Sequence, residues 1–185
     1  MQNQGGGNGV DASGTVISHF YIIYVLQTTH MRTLFFAILL QLSFLAYAQK
    51  TPTLTSLENP DFLSPVRGYS HVARIDLGNA WMLIISGQVA MDRDGNIVGR
   101  GNMEVQTDFV YARIIDIIKH YGGTRDHLVR TGILILDEKD IPVVRQVRTR
   151  YLNMDKPPTS TAMVVSKLFH PDFLVEIEAT AIIPK

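Results

Sequence analysis

The feature that most constrains this chain is a nearly unbroken apolar run at residues 81–90, "WMLIISGQVA". Ten residues without a charge read as a strand with apolar side chains on both faces, buried on each. Such a strand needs cover on two sides. It follows a roughly alternating stretch, His71-Val72-Ala73-Arg74-Ile75, and Leu77-Gly78-Asn79 supplies the turn between them. "DRDG" at residues 92–95 is a hairpin-type turn signal, with a short third strand after it.

The cover must come from helices. Asn102 is placed to cap a helix over "MEVQTDFVYARIIDIIKHYGG", with Glu104 at the positive end of its dipole. Val105, Phe109, Ala112 and Ile115, followed by Ile118, predict its apolar stripe, and Gly122-Gly123 ends it. "HLVRTGILIL" reads as a strand. Asp140 can cap a second helix, with Pro142 tolerated in the first turn. The second stripe is Val143, Val144, Val147 and Tyr151, and Arg145, Arg148 and Arg150 give that helix a basic aspect. "TSTAMVVSKL" and "FLVEIEATAII" complete the order β-β-(β)-α-β-α-β-β. This predicts an α+β fold, one sheet with two helices on one face. The other face has no cover left in the chain, which predicts self-association through it.

Residues 1–50 stand outside this pattern. Residues 1–30 open Gly-rich and polar, and are read as a non-native extension before a true start at Met31. Residues 31–48 have the layout of a secretory signal peptide. Met31 and Arg32 form a basic start, residues 33–45 an apolar stretch, and Ala46-Tyr47-Ala48 a small-x-small cleavage site. Cleavage after Ala48 implies a periplasmic or secreted protein, free of the membrane; the alternative is an uncleaved anchor. Residues 49–66 hold three prolines and no sustained period, and read as an extended lead-in to a domain at 67–185.

Composition removes several functions. The 17 basic and 17 acidic residues cancel, so the electrostatic footprint of a nucleic-acid binder is absent and no nucleic-acid partner is expected. There is no cysteine, which excludes thiolate catalysis and Cys-based zinc sites. His71, His120, His127 and His170 share no metal-ligand spacing, and no metal or cofactor is expected. Phosphate-loop, dinucleotide, HExxH and G-x-S-x-G motifs are all missing.

The short stretches that remain each have a plain reading. Ser86-Gly87-Gln88 can be a bulge that ends a strand, and Pro157-Pro158 a stiff turn. Glu176 and Glu178 fall on one strand face, about 6.6 Å apart along the chain. They repel each other unless water or a partner relieves them, and a solvated face suffices to explain them.

In this order, however, the stretches resemble the RidA/YjgF family, also called L-PSP endoribonuclease-like. Ser86-Gly87-Gln88 is similar to its S-G-Q, and "GNMEVQT" at residues 101–107 to its G-D-x-x-x-Q-T. "LVEIEA" at residues 174–179 matches its ending, and Gly68-Tyr69-Ser70 approximates its G-x-Y-S loop. The resemblance covers residues 65–185. It implies a YjgF-like (chorismate-mutase-like) fold, a homotrimer with the sheets packed into a central barrel, and small-molecule clefts between subunits. Some relatives hydrolyse reactive enamines and imines to 2-keto acids and ammonia, and others are described as ribonucleases.

Such hydrolysis needs a clamp for the substrate carboxylate and a positioned water. The resemblance gives the water to Glu176, as the catalytic residue, and ligand contacts to Tyr69, Ser86 and Gly87. The family's clamp is an arginine in P-A-R-[ST]. Here "PPTST" puts Ser160, or Thr159, in its place. Neither hydroxyl carries charge, and losing a charge-assisted bidentate pair costs about 2–5 kcal/mol. Arg145, on the second helix where the family usually carries an asparagine, can restore a cation; otherwise it belongs to a solvated helix face. Three functions follow as expectations. They are an imine or enamine hydrolase using Glu176, a non-catalytic trimeric protein for a small ligand, and a ribonuclease. Neutral charge and the absence of a histidine pair weigh against the last.

Overall fold

Six strands form one mixed sheet in the computed structural model, which describes residues 53–185. The extension at 1–30, the signal peptide at 31–48 and the first residues of the lead-in lie outside the described residues. The strands are β1 (Thr53–Glu58), β2 (Val72–Asp76), β3 (Ala80–Val89), β4 (Leu128–Ile135), β5 (Thr159–Val164) and β6 (Val175–Pro184), in the order β1-β2-β3-β6-β4-β5. All neighbours are antiparallel except β4 and β5. Two helices, α1 (Met103–His120) and α2 (Ile141–Arg148), pack on one face, as the element order predicts.

The lead-in is part of the sheet. β1 pairs with β2 along an edge, and Arg74 on β2 pairs with Glu58 at 3.1 Å. The Tyr121 hydroxyl, just past α1, donates to Glu58 at 2.8 Å. A short edge strand buries little, so it carries no hydrophobic period to read. The expected third strand after "DRDG" is a single bridge between Met91 and Ile97. β5 stops at Val164, because β4, its partner, ends at Ile135.

α1 starts and ends as its sequence requires. The Asn102 side chain accepts from the Val105 N–H at 3.1 Å. Gly122, at φ +82°, lets the Gly122 and Gly123 N–H groups return to the Lys119 and Ile118 carbonyls. The buried face differs from the expected stripe. It runs through Met103, Gln106, Thr107, Val110, Tyr111, Ile114, Ile115, Ile117 and Ile118, so Ile115 and Ile118 lie where expected, while Val105 is exposed. Two of these positions are polar yet internally bonded, so counting apolar residues selects the neighbouring face. In α2, Val144 and Val147 face the core, and Asp140 makes no side-chain cap. Asp137 caps the turn before it instead, accepting from the Lys139 N–H.

The core lies between helices and sheet. Leu83, Ile85, Ile133, Ile135, Val175, Ile177, Ala179, Ala181 and Ile183 point into it. Alternate residues point the other way. Ile84, Ile182 and Met163 there are exposed, and Glu176 and Glu178 share that side. β3 is thus apolar on both faces, as its run predicts, but only one face is buried within the chain.

Candidate active site

Gln106 fixes where β6 begins. Its side chain is fully buried in α1, donates to the Gly99 and Asp172 carbonyls at 3.2 and 2.7 Å, and accepts from the Leu174 N–H at 2.8 Å. Thr107 returns its hydroxyl to the Met103 carbonyl at 2.7 Å. The Gln-Thr pair is therefore structural. It anchors the loop two residues ahead of Glu176.

Ser86-Gly87 is a bulge, as expected, but it does not end the strand, which resumes pairing at Gln88 and Val89. Ile85 pairs with Ala179 and Gln88 with Ile177, so two residues of β3 face Glu178 alone. The Ser86 hydroxyl donates to the Ser70 carbonyl at 2.6 Å, and the Ser86 N–H to the His71 carbonyl at 2.9 Å. Glu176 lies across Gly87. A Cβ on that glycine would stand 2.7 Å from the Glu176 Cδ, so only glycine leaves the carboxylate its place. Glu178 lies over Gly132 in the same manner and pairs with Arg130 at 2.8 Å.

The two glutamates thus differ in environment. Burial, and then the charge of Glu178, hold the Glu176 carboxyl above the ordinary glutamate range. Glu178 has a guanidinium to satisfy it. Tyr69 stands close enough for Glu176 to help burial raise its phenol. Gly87 and Tyr69 therefore lie beside Glu176, and Ser86 adjoins them in the bulge.

The remaining expected ligand residues are elsewhere. Arg145 and Ser160 line a cavity of about 330 Å³ between α2 and β5, with Arg148, Ile133, Ile135, Ile141, Val144 and Ala162. This cavity is on the helix side of the sheet, and Glu176 is on the open side. Ser160 shares its hydroxyl with Thr131 at 3.1 Å. Thr159, one residue earlier, alternates to the open side and donates to the Val129 carbonyl at 3.0 Å. Arg145 is exposed on α2 at the rim of this cavity, and it does not meet Glu176 within one chain. Arg148 was legible only as part of a basic helix. Among the described residues neither guanidinium pairs with a carboxylate, and the Arg148 Nε is buried without a hydrogen-bond partner. The histidines disperse: His71 is buried, His120 meets the Tyr121 ring edge-on, His127 accepts from the Thr124 N–H, and His170 accepts from the Asp172 N–H.

The model of the endoribonuclease L-PSP family matches residues 60–183. The chain belongs to this family, the RidA/YjgF proteins. A RutC family protein of Synechocystis is 29% identical over 103 residues, 55% of this chain and 78% of that one. RidA from an Antarctic Psychrobacter superposes with a TM-score of 0.60 at 25% identity, over 70% of this chain and all of its own. A Rid family protein of Yersinia pestis, described as of unknown function, gives 0.60 at 27% identity, over 70% of this chain and 98% of its own. All three are similar to the domain that carries both the Glu176 group and the α2 cavity.

Proposed function

We propose that the protein hydrolyses small imines or enamines at a cleft between copies of the chain, with Glu176 holding the attacking water. The observation that carries this reading is the Glu176 carboxylate, partly desolvated over Gly87 and displaced toward neutral pH by that burial. A carboxylate so placed is a better base than a solvated one. It takes a proton from water while the water oxygen bonds to the imine carbon. An enamine first tautomerises to the imine. The C=N electron pair moves to the nitrogen, which takes a proton from solvent. Glu176 then returns its proton to that nitrogen, the carbinolamine hydroxyl gives its proton to water, and the C–N bond breaks as the carbonyl forms and ammonia leaves. Tyr69 supplies a phenol O–H as hydrogen-bond donor beside the carboxylate.

The anionic end of the substrate belongs, in this reading, to Arg145 and Arg148 with Ser160. Two guanidiniums that pair with no carboxylate among the described residues suit a carboxylate ligand, and the apolar wall suits a short aliphatic tail. They reach a ligand at Glu176 only from a second copy, because they lie on the opposite side of the sheet. A homotrimer closed through the exposed Ile84, Ile182 and Met163 face supplies one. Export after cleavage at Ala48 is part of the same proposal, and N-terminal sequencing of the secreted protein tests it. A mature N-terminus well before Gln49 counts against it.

The decisive assay is ammonia release from freshly generated imines, amino-acid-derived and uncharged. The expected result is turnover that Glu176→Gln lowers about 100-fold or more. Arg145→Ala should raise KM for the amino-acid-derived imine alone. No turnover on any imine would leave a non-catalytic ligand-binding protein.

A further inference from the structure

His71 is buried, polar and adjacent to the Glu176 group, and imine hydrolysis as described above leaves it without a task. Its ring is held on both nitrogens. Nε2 lies 2.9 Å from the Ser64 carbonyl, which can only accept, so Nε2 carries the proton. Nδ1 is then bare, and it lies 3.4 Å from the Gln88 side-chain nitrogen. That same nitrogen donates to the Ser86 carbonyl at 2.9 Å. Both amide hydrogens of Gln88 are therefore committed, one to the ring and one to the bulge. The His71 main chain is fixed as well: its N–H donates to Asn59 at 2.8 Å and its carbonyl accepts from Ser86 at 2.9 Å. The Tyr69 ring meets the His71 ring edge-on at 5.9 Å.

We propose that His71 is a positioning residue for Glu176: its neutral ring orients Gln88, Gln88 holds the Ser86-Gly87 bulge, and the bulge keeps the Glu176 carboxylate flat against the strand. The sequence Tyr69-Ser70-His71 thereby sets both members of the Tyr69 and Glu176 pair from one buried hub. Loss of the ring acceptor frees the Gln88 amide and loosens the bulge. Water then reaches the carboxylate. This rests on the reading of Glu176 as the working group, but it concerns where that carboxylate sits, whatever it acts on.

The test is the titration of the Glu176 carboxyl, followed by NMR in the full chain with 13C-labelled glutamate, so it needs no substrate. An asparagine amide falls near the position of Nδ1 and a glutamine amide near Nε2. His71→Asn should therefore keep the acceptor for Gln88 and leave the Glu176 midpoint raised. His71→Gln keeps only the Ser64 bond and should lower the midpoint toward the ordinary glutamate range, by about half a pH unit or more. Gln88→Leu should reproduce that fall with the histidine intact. A role in stability alone treats the two His71 variants alike. The proposal is overturned if His71→Gln and Gln88→Leu, both folded by their urea transitions, leave the midpoint unchanged, or if His71→Asn moves it as far as His71→Gln. Where a ring variant does not fold, Gln88→Leu decides by the same readout. Absence of imine turnover with the predicted midpoints would remove the hydrolase reading and leave this one standing.

Discussion

Gly87 and Glu176 form a pair in which one residue makes room for the other. Gly87→Ala adds a methyl carbon 2.7 Å from the Glu176 Cδ, but the obstacle is the end of a flexible side chain and not backbone. The backbone at Gly87 has no positive φ to lose. The substitution should therefore cost less than about 1 kcal/mol in urea unfolding, yet lower turnover about tenfold or more by displacing the carboxylate. Equal losses in both measurements would mean that the bulge itself had failed. Glu176 also carries a pH signature. Its folded pKa is raised by burial, so its contribution to stability is fully present below the unfolded glutamate value and is lost as pH rises through the folded one. Glu176→Gln has no charge to desolvate. It should raise the urea midpoint over the parent at pH 7, and the gain should vanish by about pH 3.5, below the unfolded glutamate pKa. A gain independent of pH would point to a packing effect.

At the scale of elements, the sheet and helices were legible where a period or a cap carries them. The run at 81–90, the Asn102 cap, the Gly122-Gly123 stop and the Ser86-Gly87 bulge all stand where the sequence puts them. β1 was not legible as a sheet strand, because an edge strand needs only backbone partners. The buried face of α1 was legible at Ile115 and Ile118 but missed by one position in the first turns, because Gln106 and Thr107 look polar and are buried by virtue of their bonds. The site was half legible. Motif order gathered Tyr69, Ser86, Gly87 and Glu176, but no pattern in one chain reveals that Arg145 and Ser160 face the other side of the sheet. Gln106 shows what a polar element contact is worth. Gln106→Leu would leave two carbonyls and one N–H, all partly buried, without their side-chain partner, so it should cost about 3 kcal/mol in urea unfolding. Asn102→Ala removes only a cap and should cost about 1 kcal/mol. Similar losses in the two variants would argue that Gln106 is no anchor for β6.

At the scale of the whole molecule, the sheet separates the parts of the proposed site. Glu176 occupies the face that bears Ile84, Ile182 and Met163; Arg145, Arg148 and Ser160 occupy a cavity under α2. No side-chain rotation passes through a sheet, so one chain cannot present both to one small ligand. Two copies related by rotation can, each giving its carboxylate to one cleft and its guanidiniums to the next. Ile84→Lys, on the apolar face, should then convert a sedimenting trimer to folded monomers and abolish turnover, although Ile84 belongs to neither half of the site. The sharper consequence is complementation. Glu176→Gln and Arg145→Ala should each be impaired alone on an amino-acid-derived imine. When they are unfolded together and reassembled in equal amounts, a cleft that takes its carboxylate from one variant and its arginine from the other is intact. Random assembly makes about a quarter of the clefts intact, so about a quarter of the parent activity should return. If carboxylate and arginine served the same ligand from one chain, every cleft would still carry one defect, and mixing would restore nothing.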